Sequence, residues 1–110
     1  MDAYATRFVL GDKILTYSGD SGESNSLIEV AAGADLFISE AAVEIGKKDP
    51  DNAHLSPFQA GEIAKKANTK ALILTHYYGS SPDEAMISEV KKSGYSGEIV
   101  VAKDFQTFPL

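Results

Sequence analysis

Two histidines and a handful of carboxylates carry whatever chemistry this sequence can perform. There is no cysteine, which excludes thiolate metal sites and disulfides, so a transition metal would have to be held by His, Asp or Glu. Asp20 follows the apolar run Ile14-Leu-Thr-Tyr17, Glu40 follows Leu36-Phe-Ile38, and His76 follows Leu72-Ile-Leu-Thr75. Open α/β sheets bind ligands beyond the carboxyl ends of their strands, so these three residues could converge on one crevice. His54, just before the expected start of a helix, could join them. Carboxylate and imidazole are ordinary zinc ligands, and a carboxylate can bridge two metal ions. Two ligands alone do not complete a tetrahedral site.

Each residue also has a plainer reading. Asp20 in Gly19-Asp-Ser-Gly22 could cap backbone N–H groups of a turn, and His76 could be a satisfied rim histidine. Glu40 sits among apolar residues and needs a partner if it is buried, while His54, close to Asp51 and Asn52, could simply be exposed. The Gly19–Gly22 turn is also similar to a phosphate-cradling loop, but it lacks the lysine and the full glycine spacing of one.

The elements that must position these residues follow from apolar periodicity and turn signals. Arg7–Leu10 and Lys13–Tyr17, separated by Gly11-Asp12, predict a β-hairpin. Leu27, Ile28 and Ala31 fall at helical spacing between a Ser24 cap and Gly33. Ala34–Ile38 reads as a buried strand, and Val43–Asn52 as a solvated loop. Ser56-Pro57 starts a helix to about Ala67, Lys70–Thr75 is a strand, and Ser81-Pro82-Asp83-Glu84 opens a third helix that Gly94 closes. Glu98–Ala102 and Gln106–Phe108 supply the last strands. The alternation implies an α/β fold with a largely parallel sheet, right-handed crossovers and three helices.

Composition narrows the function classes. The 110 residues, 44% hydrophobic with a net charge of −6, fit a single globular unit without a basic footprint for nucleic acid. No apolar run is long enough to span a membrane and no signal peptide is evident, so a soluble protein of the cytoplasm is expected, without a membrane partner.

Four segments resemble, in the right order, those of metallo-β-lactamase-fold hydrolases of the ribonuclease Z-like branch. Thr16-Tyr-Ser-Gly-Asp-Ser-Gly22 resembles the family's Tyr-Ser-Gly-Asp-Thr/Ser segment, and Ala34-Asp-Leu-Phe-Ile-Ser-Glu-Ala41 its Asp-Leu-Leu-Ile-His-Glu-Ala strand. His54-Leu-Ser followed by Ala60-Gly-Glu-Ile-Ala64 is similar to the segment opening its next helix, and Lys70-Ala-Leu-Ile-Leu-Thr-His76 to its Leu-Val-Leu-Thr-His strand. The resemblance implies that residues 1–110 form the second half of an αββα sandwich, without the N-terminal half and its His-x-His-x-Asp-His motif. It also implies roles: Asp20 as the carboxylate bridging two zinc ions, His76 as a zinc ligand, His54 as proton donor to the leaving group, and Glu40 as the acid that orients a site histidine. Ser39 stands where the family has a histidine.

With most ligands missing, zinc binding by this chain alone is expected to be weak or absent. A lone half leaves an apolar sheet face needing cover, by the missing half or by a second copy in a homodimer. The expected parent activity is zinc-dependent hydrolysis of a phosphodiester, in RNA or a small molecule, or of another ester. A non-catalytic half-domain acting as a scaffold is the competing reading. A flavodoxin- or receiver-like binding domain is a third, and it leaves both histidines without a role.

Overall fold

The computed structural model describes residues 5–19, 22, 24–75 and 82–102. The expected strand Gln106–Phe108 lies outside the described residues. The elements are β1 (Thr6–Leu10), β2 (Lys13–Tyr17), α1 (Asn25–Ala31), β3 (Leu36–Glu40), α2 (Pro57–Ala67), β4 (Ala71–Thr75), α3 (Asp83–Lys92) and β5 (Glu98–Val101). They form one five-stranded sheet in sequential order, β1-β2-β3-β4-β5, with β1 antiparallel to β2 and all later neighbours parallel. The mixed α/β architecture expected from the alternation is therefore present.

Sequential order has a geometric consequence. The chain steps across the sheet in one direction through three helical crossovers, and crossovers of one hand put every helix on the same face. Side-chain alternation agrees. Phe37, Leu72 and Leu74 share one buried cluster with Leu27 and Ala31 of α1, Ala60, Ile63, Ala64 and Ala67 of α2, and Met86 and Val90 of α3. Leu36, Ile38 and Ile73 alternate onto the opposite face and do not belong to that cluster. That face is buried at Leu36 and Ile73 and open toward β1, where Phe8 and Leu10 are 48% and 51% exposed.

Local sequence fixes the helix ends. Ser24 caps α1 by accepting from the Leu27 N–H, and Gly33, at φ +68, turns the chain out. Helix α2 opens on a full capping box, in which Ser56 Oγ accepts from Gln59 N and Gln59 Oε1 from Ser56 N, with Pro57 in the first turn. Helix α3 differs from the expectation: its cap is Pro82, with no side-chain hydrogen bond, and Ser81 lies outside the described residues. Asp83 and Glu84 occupy its first turn and Lys91 and Lys92 its last, matching the helix dipole at both ends. Helices α2 and α3 meet at Gly61, where an added Cβ would run into Ser93 Oγ and the Val90 carbonyl. No described helix is long and apolar enough to cross a membrane.

Candidate functional site

The carboxyl ends of β2, β3 and β4 lie side by side and are laced together by hydrogen bonds. Ser18 N donates to Ile38 O (2.9 Å), Glu40 N to Ser18 Oγ (3.0 Å), and Ala41 N to Thr75 O (2.8 Å). Ser18 is fully buried, and its hydroxyl also donates to Gly19 O. Gly19 then adopts φ +61, the left-handed backbone that lets the chain turn sharply off the strand. The next residue is Asp20, and the residue after Thr75 is His76; both expected metal ligands lie outside the described residues.

Glu40 is the last residue of β3 rather than one beyond its end, because the strand begins and finishes two residues later than the apolar run suggested. Its side chain is buried and fully engaged: Oε2 accepts from Ala42 N (2.8 Å) and Oε1 from Leu55 N (2.9 Å). Desolvation pushes this carboxyl above its ordinary range, opposed by the Ala42 and Leu55 N–H groups and then by the nearby His54. Ser39 is also buried, and its hydroxyl donates to the Glu40 carbonyl (2.9 Å).

The structure brings His54 to Glu40. Nδ1 lies 3.4 Å from Glu40 Oε1, an ion pair only when the imidazole carries a proton on both nitrogens, and it makes no hydrogen bond among the described residues. The side chain is 43% exposed, so one edge of the ring meets the buried carboxylate while the rest is accessible. The loop that carries it closes at its neck, where Val43 N donates to Leu55 O (3.1 Å) and Leu55 N to Glu40.

Sequence reasoning passed over two residues of this region. Ser18 was part of a glycine-rich turn, and only its burial reveals that it pins the Glu40 backbone. Asp49 was part of a solvated loop, yet its Oδ1 accepts from Asp51 N (3.0 Å) and its Oδ2 from Ala53 N (3.1 Å). The signal for Asp49 was in Asp49-Pro-Asp-Asn52, since Asp followed by Pro favours the first two positions of a tight turn. A shallow cleft lined by Lys47, Lys48, Phe58, Gln59 and Glu89 adjoins this loop but includes neither His54 nor Glu40.

Among the described residues, no three His, Asp or Glu side chains gather to hold a metal ion. The donor chemistry of Asp20 and His76 suits zinc, and the strands that lead to them end on either side of Glu40. The fit is therefore that of part of a metal site.

The chain is similar in structure to the metallo-β-lactamase-fold protein YhfI of Bacillus subtilis, with a TM-score of 0.84 and 33% identity over 91% of this chain and 41% of that one. It is also 38% identical over 92 residues to the ribonuclease Z of Listeria welshimeri, covering 79% of this chain and 30% of the relative. The chain belongs to the metallo-β-lactamase-fold family. An uncharacterized protein of Mycobacterium leprae shares 38% identity over 96 residues, 87% of this chain and 34% of the relative. No family profile matches the sequence. This family member thus spans about a third of the length of the curated relatives it matches, and 41% of the solved structure.

Proposed function

We propose that the chain is part of a zinc-dependent hydrolase acting on phosphodiesters, in RNA or small molecules, and that it supplies a proton-transfer dyad and part of the metal site. The observation that carries this reading is the contact of half-exposed His54 with buried Glu40 at the carboxyl edge of the sheet. Glu40 faces Nδ1 of the ring. A carboxylate there favours a proton on Nδ1, and the ring as imidazolium gives its Nε2 proton to a leaving oxygen, ending as the neutral Nδ1–H form. Two backbone N–H groups hold the carboxylate still while it does so. Asp20 and His76 would hold zinc, which when bound supplies Lewis-acid polarisation and acidifies water.

The relatives' greater length supports a second element of the proposal. The sheet face opposite the helices is covered by further chain or by a second copy in a homodimer, and the site works only when so assembled. A non-catalytic scaffold is the competing reading, favoured by a sequence that lacks the His-x-His-x-Asp-His motif.

The test is hydrolysis of a chromogenic phosphodiester by the zinc-loaded chain across a range of protein concentrations. The proposal expects the rate per chain to rise with concentration and to vanish with a chelator or in Asp20→Ala. His54→Ala should lower the rate about 10²–10⁴-fold on a poor leaving group, the usual contribution of general acid catalysis. No zinc-dependent rate at any concentration would leave the scaffold reading standing.

A further inference from the structure

We propose that Asp49 is the positioning residue for His54. The inference rests on the reading of His54 as a proton-transfer group, but its argument is geometric. His54 lies at the end of a long connection between β3 and α2, residues 41 to 56, where nothing in regular secondary structure would hold it. Its ring touches Glu40 only at 3.4 Å and without a hydrogen bond, and Glu40 and Val43 pin the backbone at Leu55 on one side only, so the approach from the other side remains to be fixed. Placement must come from the backbone that delivers the ring.

Asp49 organises that backbone. Its carboxylate closes the turn from the inside, accepting from the Asp51 and Ala53 N–H groups, while Asn52 N donates to Asp49 O (3.0 Å) across the turn. Asn52 takes φ +51, the left-handed turn conformation that Asn adopts more readily than other non-glycine residues. The Asp51 N–H is the largest influence keeping the Asp49 carboxyl below its ordinary range, and the Ala53 and His54 amides and the His54 charge act in the same direction. From the outside, Gly22 presses on the same turn: an added Cβ would collide with the Asn52 carbonyl. Residues 49 to 53 are therefore clamped between a carboxylate and a glycine, and His54 is the next residue along.

The experiment is long-range ¹H–¹⁵N spectroscopy of the two histidine rings in the full chain, comparing wild type, Asp49→Ala and Asp49→Asn at a pH where the rings are neutral. The tautomer signature of His54 reports its placement against Glu40, and His76 serves as the internal reference. Asp49→Ala should move the His54 nitrogen signals toward those of a freely exchanging imidazole, with His76 unmoved. Asp49→Asn keeps one side-chain acceptor for the turn and should move them less than half as far.

The assignment is overturned if His54 is unchanged in Asp49→Ala, if both variants move it equally, or if its wild-type signals are already those of a free ring. Collapse of both histidines to unfolded positions in both variants would make Asp49 a residue of the fold and overturn it as well. The readout needs neither metal nor turnover, so failure of the hydrolase reading would show separately, in the zinc-dependent assay.

Discussion

The two faces of the sheet are built from adjacent residues of the same strands, yet they stand in different positions. Phe37, Leu72 and Leu74 lie under three helices and are fully buried; Leu36, Ile38 and Ile73, their alternating neighbours, face a side on which no described helix packs. Toward β1 this second side opens, with Phe8 and Leu10 exposed on an edge strand, a feature that solitary domains usually blunt. Topology explains the difference. A sheet laid down in sequential order by crossovers of one hand can cover only one of its faces from its own helices. The candidate site lies along the edge where both faces meet.

The sharpest way to break this contrast is a pair of truncations. Phe37→Ala should cost about 3–5 kcal/mol of stability, whereas Phe8→Ala should change it by less than about 0.5 kcal/mol, both read from urea unfolding. Equal losses would mean that both faces are comparably packed.

A smaller loss is expected at the site itself, at the end of β3. Glu40→Ala leaves the Ala42 and Leu55 N–H groups without their acceptor, costing about 2–4 kcal/mol at roughly 1–2 for each orphaned group. Glu40→Gln keeps one acceptor and should cost about half as much by the same unfolding measurement. A Glu40→Gln protein more stable than wild type would show that burying the charge outweighs its hydrogen bonds.

Ser56→Ala removes half of the α2 capping box and should cost about 1 kcal/mol, seen as a lower Tm. The smallest expected effect is one of pH. Asp35 is held below its ordinary range first by the Ile14 N–H and then by Lys70, whose Nζ lies 3.0 Å away, and Asp49 is lowered by its own turn. Their stabilisation is present above the unfolded carboxylate range, about pH 4, and is lost as pH falls through the lowered folded values. Glu40 has the opposite sign, since burial raises it: ionising it costs stability, and that cost fades as pH falls through the raised value. Tm measured against pH should therefore fall on the acid side less steeply in Asp35→Asn than in wild type.

Much of this was legible in the residues. Ser24 and Ser56 marked two helix starts because a cap hydroxyl is a local device, and the apolar runs at Phe37 and Leu72–Leu74 marked the core strands. The sheet order was not legible, since strand neighbours are chosen by packing across long separations rather than by local pattern. Nor was the link from Ser18 to Glu40, 22 residues apart, or the turn inside Asp49–Ala53, where a polar composition concealed a hydrogen-bonded structure. The cap of α3 differed because the helix starts at Asp83, one residue later than expected, which puts Pro82 at the cap position with no side-chain acceptor to offer the first-turn N–H groups. Glu40 and His54 were both singled out in advance, but their proximity is a fact of the fold.

In the proposed function this chain contributes part of a metal site that is completed by assembly. The most direct measurement is zinc bound per chain by elemental analysis, made on fractions whose mass is fixed by sedimentation, for wild type and an Asp20→Ala/His76→Ala variant. Expected are well under one zinc per monomeric chain, near-stoichiometric zinc in an associated form, and none in the variant. A monomer that holds stoichiometric zinc, or a variant that holds as much as wild type, would contradict the proposal.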